Sequence, residues 1–183
     1  MWRALGFSLV LFLSATSFAA SSGSGVLVDL GFLRYHQEVE GPQIGSSQST
    51  NSFYDWKLGY LPGNDFYFGG MYSQHITDDG RGNETKRTLY GATVGFHRNG
   101  WFLDGTYFLD GQQESGSITY KKASGFGLDL GYHHMVNSVF FLGIEGSYKS
   151  FTFKEFSFGG ATTTEDNKVK SEYYPMLILG LLF

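Results

Sequence analysis

Bulky apolar residues recur at every second position in eight stretches of the chain, with small or polar residues between them. This period of two is typical of β-strands, whose successive side chains point to opposite faces of a sheet. The pattern predicts strands at 26–35, 52–61, 65–75, 87–97, 101–110, 118–132, 139–153 and 173–183. We therefore predict an all-β chain in which every strand has one apolar face.

The predicted connections alternate in length along the chain. Four of them are long and polar, at 36–51, 76–86, 111–117 and 154–168. Three short ones lie between them, at 61–64, 99–100 and 133–138, and Asn99-Gly100 is the strongest hairpin signal. Short turns at one end and long loops at the other are typical of a transmembrane β-barrel with both termini beside the short turns.

The size of the two strand faces predicts which one points outward. The large set includes Trp56, Leu103, Leu142 and Leu179, whereas the opposite set is mostly Gly, Ser, Thr, Asp, Lys and Glu. The interior of an eight-stranded barrel is only just wide enough to be filled by side chains. We therefore predict that the large apolar set faces lipid and the small polar set packs a narrow lumen. A soluble ligand-carrying barrel would have the opposite arrangement.

The aromatic residues of the large set form two groups. Those beside the short turns are Tyr60, Phe66, Phe96, Trp101, Tyr132, Phe140 and Phe183. Those toward the long loops are Tyr54, Tyr72, Tyr90, Tyr107, Tyr148 and Tyr173. Two aromatic girdles around an aliphatic band are typical of barrels that span the outer membrane.

The last strand ends on Phe183, with Leu181 and Leu179 at the preceding alternate positions. This end resembles the closing strand of bacterial outer-membrane barrels, which the outer-membrane assembly machinery recognises. With the even strand number and the girdles, the chain resembles the small OmpA/OmpX-type barrels of Gram-negative bacteria. The resemblance implies an eight-stranded antiparallel up-and-down transmembrane β-barrel over 26–183, in contact with outer-membrane lipids and lipopolysaccharide. Pro175 departs from the pattern and predicts a bulge or irregular pairing near the outer rim.

The first residues predict export. They are typical of a signal peptide that is cleaved after residue 19, with the positive Arg3, the apolar stretch 5–13 and the small residues Ser17 and Ala19. A short leader at 20–25 follows the predicted cleavage site. Without Arg3, the 13 basic residues become 12 against 17 acidic ones, a net charge of −5. This charge argues against a nucleic-acid partner. The chain has no cysteine, so closure and hydrogen bonding must replace disulfides.

Seven charged residues have the parity of the lumen face: Asp29, Asp55, Lys57, Asp104, Asp129, Glu145 and Lys149. Buried charges of mixed sign must pair or lose their charge, which predicts a structural network of ion pairs that fills the barrel. Because acidic residues outnumber the lysines, we expect some of the carboxylates to be protonated, solvated or paired with Arg or Lys from the rims. An ion or proton path is the alternative function for these residues.

Other candidate chemistry is sparse. The sequence permits one catalytic arrangement, as in an enzyme that modifies lipid A. In it, Ser73 is the nucleophile, His75 is the base, and Asp78 or Asp79 is the orienting acid. His97, His133 and His134 lie near the short turns and are interpreted as interfacial residues. The acidic stretches 78–80 and 165–167 do not match the EF-hand spacing, and no metal or cofactor is expected.

The fourth long loop is the most suggestive part of the surface. Phe151, Phe153, Phe156 and Phe158 extend the aromatic pattern past the membrane-length part of the seventh strand. One interpretation is that strands six to eight protrude as a small sheet that contacts a surface protein through residues 154–168. The other, which we favour, is that these Phe residues pack against neighbouring loops and the rim. The favoured function is a structural or surface-interaction protein of the outer membrane. A lipid A-modifying enzyme and a narrow channel or carrier for apolar solutes are the alternatives.

Overall fold

A computed structural model describes residues 24–41 and 45–183, and the side chains of all of these except 39–41, 45–47 and 165–169. The predicted signal peptide and most of the leader lie outside these residues. Eight strands follow one another: β1 (Gly25–Gly41), β2 (Gly45–Leu61), β3 (Phe66–Asp78), β4 (Glu84–Arg98), β5 (Trp101–Ser115), β6 (Ile118–Met135), β7 (Phe140–Phe158) and β8 (Ala161–Leu182). Each pairs antiparallel with the next, and β8 returns to β1, so the sheet is a closed barrel, as predicted.

The register of the strands sets their tilt. A path perpendicular to the strands, started at Leu27 and followed around the sheet, reaches Glu172 on β8. Leu27 pairs directly with Leu182, so the register advances by 182 − 172 = 10 residues in one turn. A stagger of this size requires strands inclined by roughly 35–45° to the barrel axis.

The strands are longer than the sequence pattern predicts, and the predicted loops are shorter. Much of the stretch 36–51 is strand, and β7 and β8 continue to the turn Gly159–Gly160. That turn has φ of 57° and 87°, the two positive values of a type I′ hairpin. The predicted loops 36–51, 76–86, 111–117 and 154–168 were therefore wrong in part. Polar strands pair equally well where they stand in water, so the apolar alternation ends before the strand does.

The outward direction of the large apolar set is confirmed. Trp56, Leu103, Leu142 and Leu179 are 46%, 47%, 42% and 38% exposed, and all four point away from the barrel axis. The same face carries the two predicted aromatic girdles, with Trp101 at 61% and Tyr107 at 59% exposed. Within the described ranges, the structure contains no helix of a length and apolarity that would cross a membrane.

Candidate functional site

The interior is layered, and its layer nearest the short turns is apolar. Leu27, Tyr67, Phe102, Phe141 and Ile178 form one buried cluster. A second cluster, nearer the long hairpins, contains Met71, Leu89, Phe108, Ala123, Phe151 and Phe153. The lumen therefore contains large apolar side chains in addition to the small polar set that the sequence predicted there.

Glycines on neighbouring strands make room for the large inward rings. A Cβ atom at Gly131 would overlap the ring of Phe102, and one at Gly180 would overlap the ring of Phe141. Tyr67 packs in the same way against Gly59 and Gly69. Where an aromatic ring points inward, a glycine on a neighbouring strand leaves the space that the ring occupies. The inward parity of Tyr67, Phe102 and Phe141 is the sequence signal that could have revealed these rings.

A charged layer lies beside the first apolar cluster. Lys57 is fully buried, and its Nζ atom lies 3.2 Å from Asp104 Oδ2, 3.0 Å from Asp129 Oδ2 and 3.1 Å from Glu145 Oε2. Asp29 is buried directly opposite Lys57 in the strand register. The strands β5, β6 and β7 therefore direct carboxylates at one ammonium group, and Asp29 on β1 adds a fourth buried carboxylate to the layer.

The second lysine has its own partners. Lys149 Nζ donates hydrogen bonds to both carboxylate oxygens of Asp55 and to Ser73 Oγ, each at 2.6 Å. All seven charged residues predicted for the lumen are buried there. Asp29 Oδ2 and Glu145 Oε1 have no hydrogen-bond partner among the described residues. The lysines therefore do not satisfy every carboxylate oxygen of this layer.

Histidines belong to the interior as well, which the sequence interpretation missed. His97 Nε2 lies 2.8 Å from Asp104 Oδ1, and the ring of His133 stacks on Phe102 and Phe141 at 4.3 Å from each. The interfacial interpretation was wrong for these two residues, because both have the parity of the lumen face. His134 has the opposite parity and is exposed.

A further ion pair closes the polar layer nearer the long hairpins. The guanidinium of Arg87 pairs with both carboxylate oxygens of Glu172 and lies 4.7 Å from the centre of the Phe151 ring. Arg87, which the sequence analysis had not named, therefore brings a cation into the interior, but its partner is Glu172 and not one of the seven predicted lumen charges. Its inward parity is the signal that would have identified it.

The candidate catalytic residues do not form a triad. The Ser73 hydroxyl accepts a hydrogen bond from Lys149, and His75 Nε2 contacts Asn51 Oδ1 at 3.2 Å and Thr77 Oγ1 at 3.1 Å. Asp78 accepts the backbone N–H of Gly80 within its own turn. No proton path from Ser73 through His75 to Asp78 exists in this arrangement, because each side chain is held by a different partner.

The acidic turn after β3 uses its carboxylates internally. Asp79 Oδ1 accepts the backbone N–H groups of Arg81 and Asn83, and its Oδ2 accepts the side-chain amide of Asn83 at 2.7 Å. These hydrogen bonds hold the pKa of Asp79 below its ordinary value, the Asn83 side chain most of all. Among the residues described, no group of three or more His, Asp or Glu side chains could hold a metal ion. The side chains of 165–167 lie outside the described set.

The seam between β1 and β8 is the most unusual feature of the barrel. It pairs only Leu27–Phe32 with Leu177–Leu182, whereas β1 pairs with β2 over its full length. Above the pair Phe32–Leu177 the two strands separate, and both present an unpaired edge. Phe32 pairs on its other side with Tyr54, so the opening begins at the outer girdle.

Pro175 explains where the seam ends. Val26 and Phe183 exchange both of their backbone hydrogen bonds, at 3.0 Å each. In an antiparallel pair, such a doubly hydrogen-bonded pair recurs at every second residue. If the pairing continued, Arg34 and Pro175 would therefore form one of these pairs. Proline has no N–H to donate there. The predicted irregularity is thus found at the seam; the pairing of Pro175 with Gly146 on β7 has no bulge.

Comparison with known proteins identifies no family. No protein-family model matches the chain, and no curated protein matches it. Among solved structures, the chain is similar to the crystal structure of Neisserial surface protein A, with a TM-score of 0.49 and 15% sequence identity, over 87% of this chain and 95% of that one. A similarity at this level carries no information about function.

Proposed function

We propose that this chain is an integral protein of the bacterial outer membrane, closed to solutes along its axis, that interacts with other molecules through its long outer hairpins. The observation that carries the proposal is the exposed apolar face between two aromatic girdles, wrapped around a filled interior. The described strands pair in a closed ring up to the outer girdle, where the pairing of β1 with β8 ends, so the backbone within the apolar band is hydrogen-bonded.

The filled interior argues for interaction rather than transport along the axis. Phe102, Phe141 and Tyr67 occupy one layer and the Lys57 carboxylates the next, and the largest of these side chains are almost completely buried. A solute would have to displace both layers. The strands that continue past the outer tyrosines supply the surface for a partner, and residues 154–168 at the end of the β7–β8 hairpin belong to it.

Cell fractionation and gel migration test this proposal together. The protein should be recovered with outer membranes, resist extraction by alkaline carbonate, and migrate differently on gels with and without boiling. Partner binding should be lost when the hairpin end is removed, while the boiling-dependent migration remains. Recovery of the mature chain in a soluble fraction without detergent would overturn the proposal.

The open seam favours a second candidate, a carrier for small apolar molecules. A small apolar cluster lies behind the opening at the height of the outer girdle, and it consists of Leu33, Phe53, Tyr174 and Met176. An apolar molecule in the outer leaflet would meet this cluster without passing the charged layer. Uptake of a fluorescent fatty acid into vesicles that contain the protein, compared with protein-free vesicles, tests the carrier; equal rates would exclude it.

A further inference from the structure

The unpaired edge of β1 above the seam has the properties of a docking site for an extended peptide strand. Residues 34–38 are all exposed, although they are paired with β2 along their other side. The N–H and C=O groups of Val26 point toward β8, and in an antiparallel strand every second residue points the same way. The N–H and C=O groups of Arg34, His36 and Glu38 therefore point into the opening. Those groups would pair with any strand laid beside them.

The two edges of the opening are not equivalent. The edge of β8 has Pro175 at its first free position, and its register against β7 shifts near Phe153 and Glu155. Proline and irregular pairing are the usual devices by which an edge is protected against further strands. The edge of β1 has neither device, since its register with β2 runs without a shift to Gly41. The difference marks β1 as the edge that accepts a partner.

The side chains beside this edge define the partner further. Tyr35 has the parity of the interior and yet is 41% exposed, whereas Phe53, which stacks on it, is only 4% exposed. Tyr35 is therefore accessible beside the opening and would contact an apolar side chain of an added strand. Arg34 and Glu38 lie on the outer face, four residues apart and opposite in charge. An acidic and a basic residue four positions apart would complement them.

We propose that the free edge of β1, residues 33–38, binds an extended segment of another protein by β-strand addition, next to the outer leaflet. This inference rests on the proposed function, because it requires the hairpins to stand outside the cell. It adds a contact surface at the seam to the one proposed for residues 154–168. The residues Leu177–Leu182 of β8 already pair with Leu27–Phe32 on the same edge of β1. The partner strand would continue this backbone pairing along the next residues of β1.

The test uses the full mature chain in lipid nanodiscs and a labelled nine-residue peptide of alternating Val and Thr with one Glu and one Lys four positions apart. A second peptide is N-methylated at every residue, so that neither of its edges has a donor. His36→Pro removes an N–H that points into the opening and leaves the β2 ladder intact. His36→Ala is the matched control, because it loses the hydrogen bond to Thr50 but keeps that N–H.

Fluorescence anisotropy should show saturable binding of the first peptide and no binding of the N-methylated one. His36→Pro should weaken the affinity by about tenfold, the effect of one or two backbone hydrogen bonds, while His36→Ala changes it by less than about twofold. Pro175→Val should also weaken binding, because β8 can then pair with Arg34 and cover the edge.

Equal affinity of the peptide for the parent protein, His36→Pro and Pro175→Val would overturn the inference. Equal binding to empty nanodiscs would also overturn it. So would dimers of the protein that form without peptide and are lost in His36→Pro, because the occupant would then be a second copy of the chain. Boiling-dependent migration, measured for every variant, reports the barrel itself. A protein that inserts and closes but does not bind peptide contradicts this inference alone, and one that does not insert contradicts the proposed function.

Discussion

Lys149 and Asp55 are joined by two hydrogen bonds of 2.6 Å across the lumen, although 94 residues of chain separate them. Both side chains are almost completely buried. The pair therefore links β2 to β7 through the interior, where water does not compete for either charge. Its energy depends on both partners, because each is a buried charge without the other.

Replacing Lys149 by Met should destabilise the barrel by about 3–5 kcal/mol, since Asp55 would remain buried without its counter-ion. The double variant Lys149→Met with Asp55→Leu should recover most of the loss. Urea unfolding in phospholipid vesicles, followed by tryptophan fluorescence, measures both. Lys154→Met, at an exposed position, is the control. A single variant as stable as the parent would show that the lumen is hydrated.

Replacing Gly131 by Ala should impair closure, because the new Cβ atom would overlap the ring of Phe102. Gly146→Ala is a matched control on the neighbouring strand, where the nearest atom to a new Cβ lies 4.0 Å away. The fraction of protein that migrates as the closed form without boiling should fall for Gly131→Ala only. Adding Phe102→Leu to Gly131→Ala should restore it only in part, because the new Cβ atom would also lie 2.4 Å from the backbone oxygen of Ile144. Equal fractions for the two glycine variants would contradict the packing described for this layer.

An arginine on the outward face should cost more at mid-height than at the rim. Leu130 lies between Phe126 and Tyr132 on β6, within the band between the girdles, and is 56% exposed. Leu130→Arg should destabilise the barrel by about 2–4 kcal/mol in bilayers, and Leu109→Arg, beyond Tyr107, by about 0–1 kcal/mol. Equilibrium unfolding in vesicles measures the difference. Equal costs would mean that the band does not contact lipid.

The Asp79 turn gives a prediction about pH. Because hydrogen bonds lower the folded-state pKa of Asp79, its carboxylate stabilises the turn above the unfolded-state pKa, and this contribution is lost as the pH falls through the folded-state pKa. Asn83→Ala removes the largest cause, so the pKa of Asp79 should rise toward its ordinary value. Carboxyl carbon chemical shifts, followed by NMR in nanodiscs from pH 2 to 7, report it. An unchanged midpoint would assign the lowering to the backbone donors.

The layered interior predicts that the barrel does not conduct. Planar bilayers containing the protein should show no discrete current steps at moderate voltage, because the aromatic and charged layers both occupy the axis. Reproducible steps of one size would contradict this, and would revive the ion-path interpretation of the lumen charges.

The alternation of apolar residues was sufficient to predict the strand number, the order of the strands and the outward face, because large apolar side chains recur at every second position along the outward face. It failed at the strand ends, since outside the apolar band a strand such as 33–41 has no need of apolar residues. It also missed the inward rings of Phe102 and Phe141. Their fit depends on glycines of neighbouring strands, and the sequence pattern within one strand does not contain that information.

Lys57 receives carboxylates from β5, β6 and β7. If one of these strands slipped by two residues, its outward face would remain apolar, and lipid would not oppose the error. The slip would, however, carry its carboxylate roughly 6–7 Å along the strand and out of reach of the ammonium group. The central lysine therefore acts as a check on alignment, and it distinguishes the native arrangement from slipped barrels that look the same to the membrane.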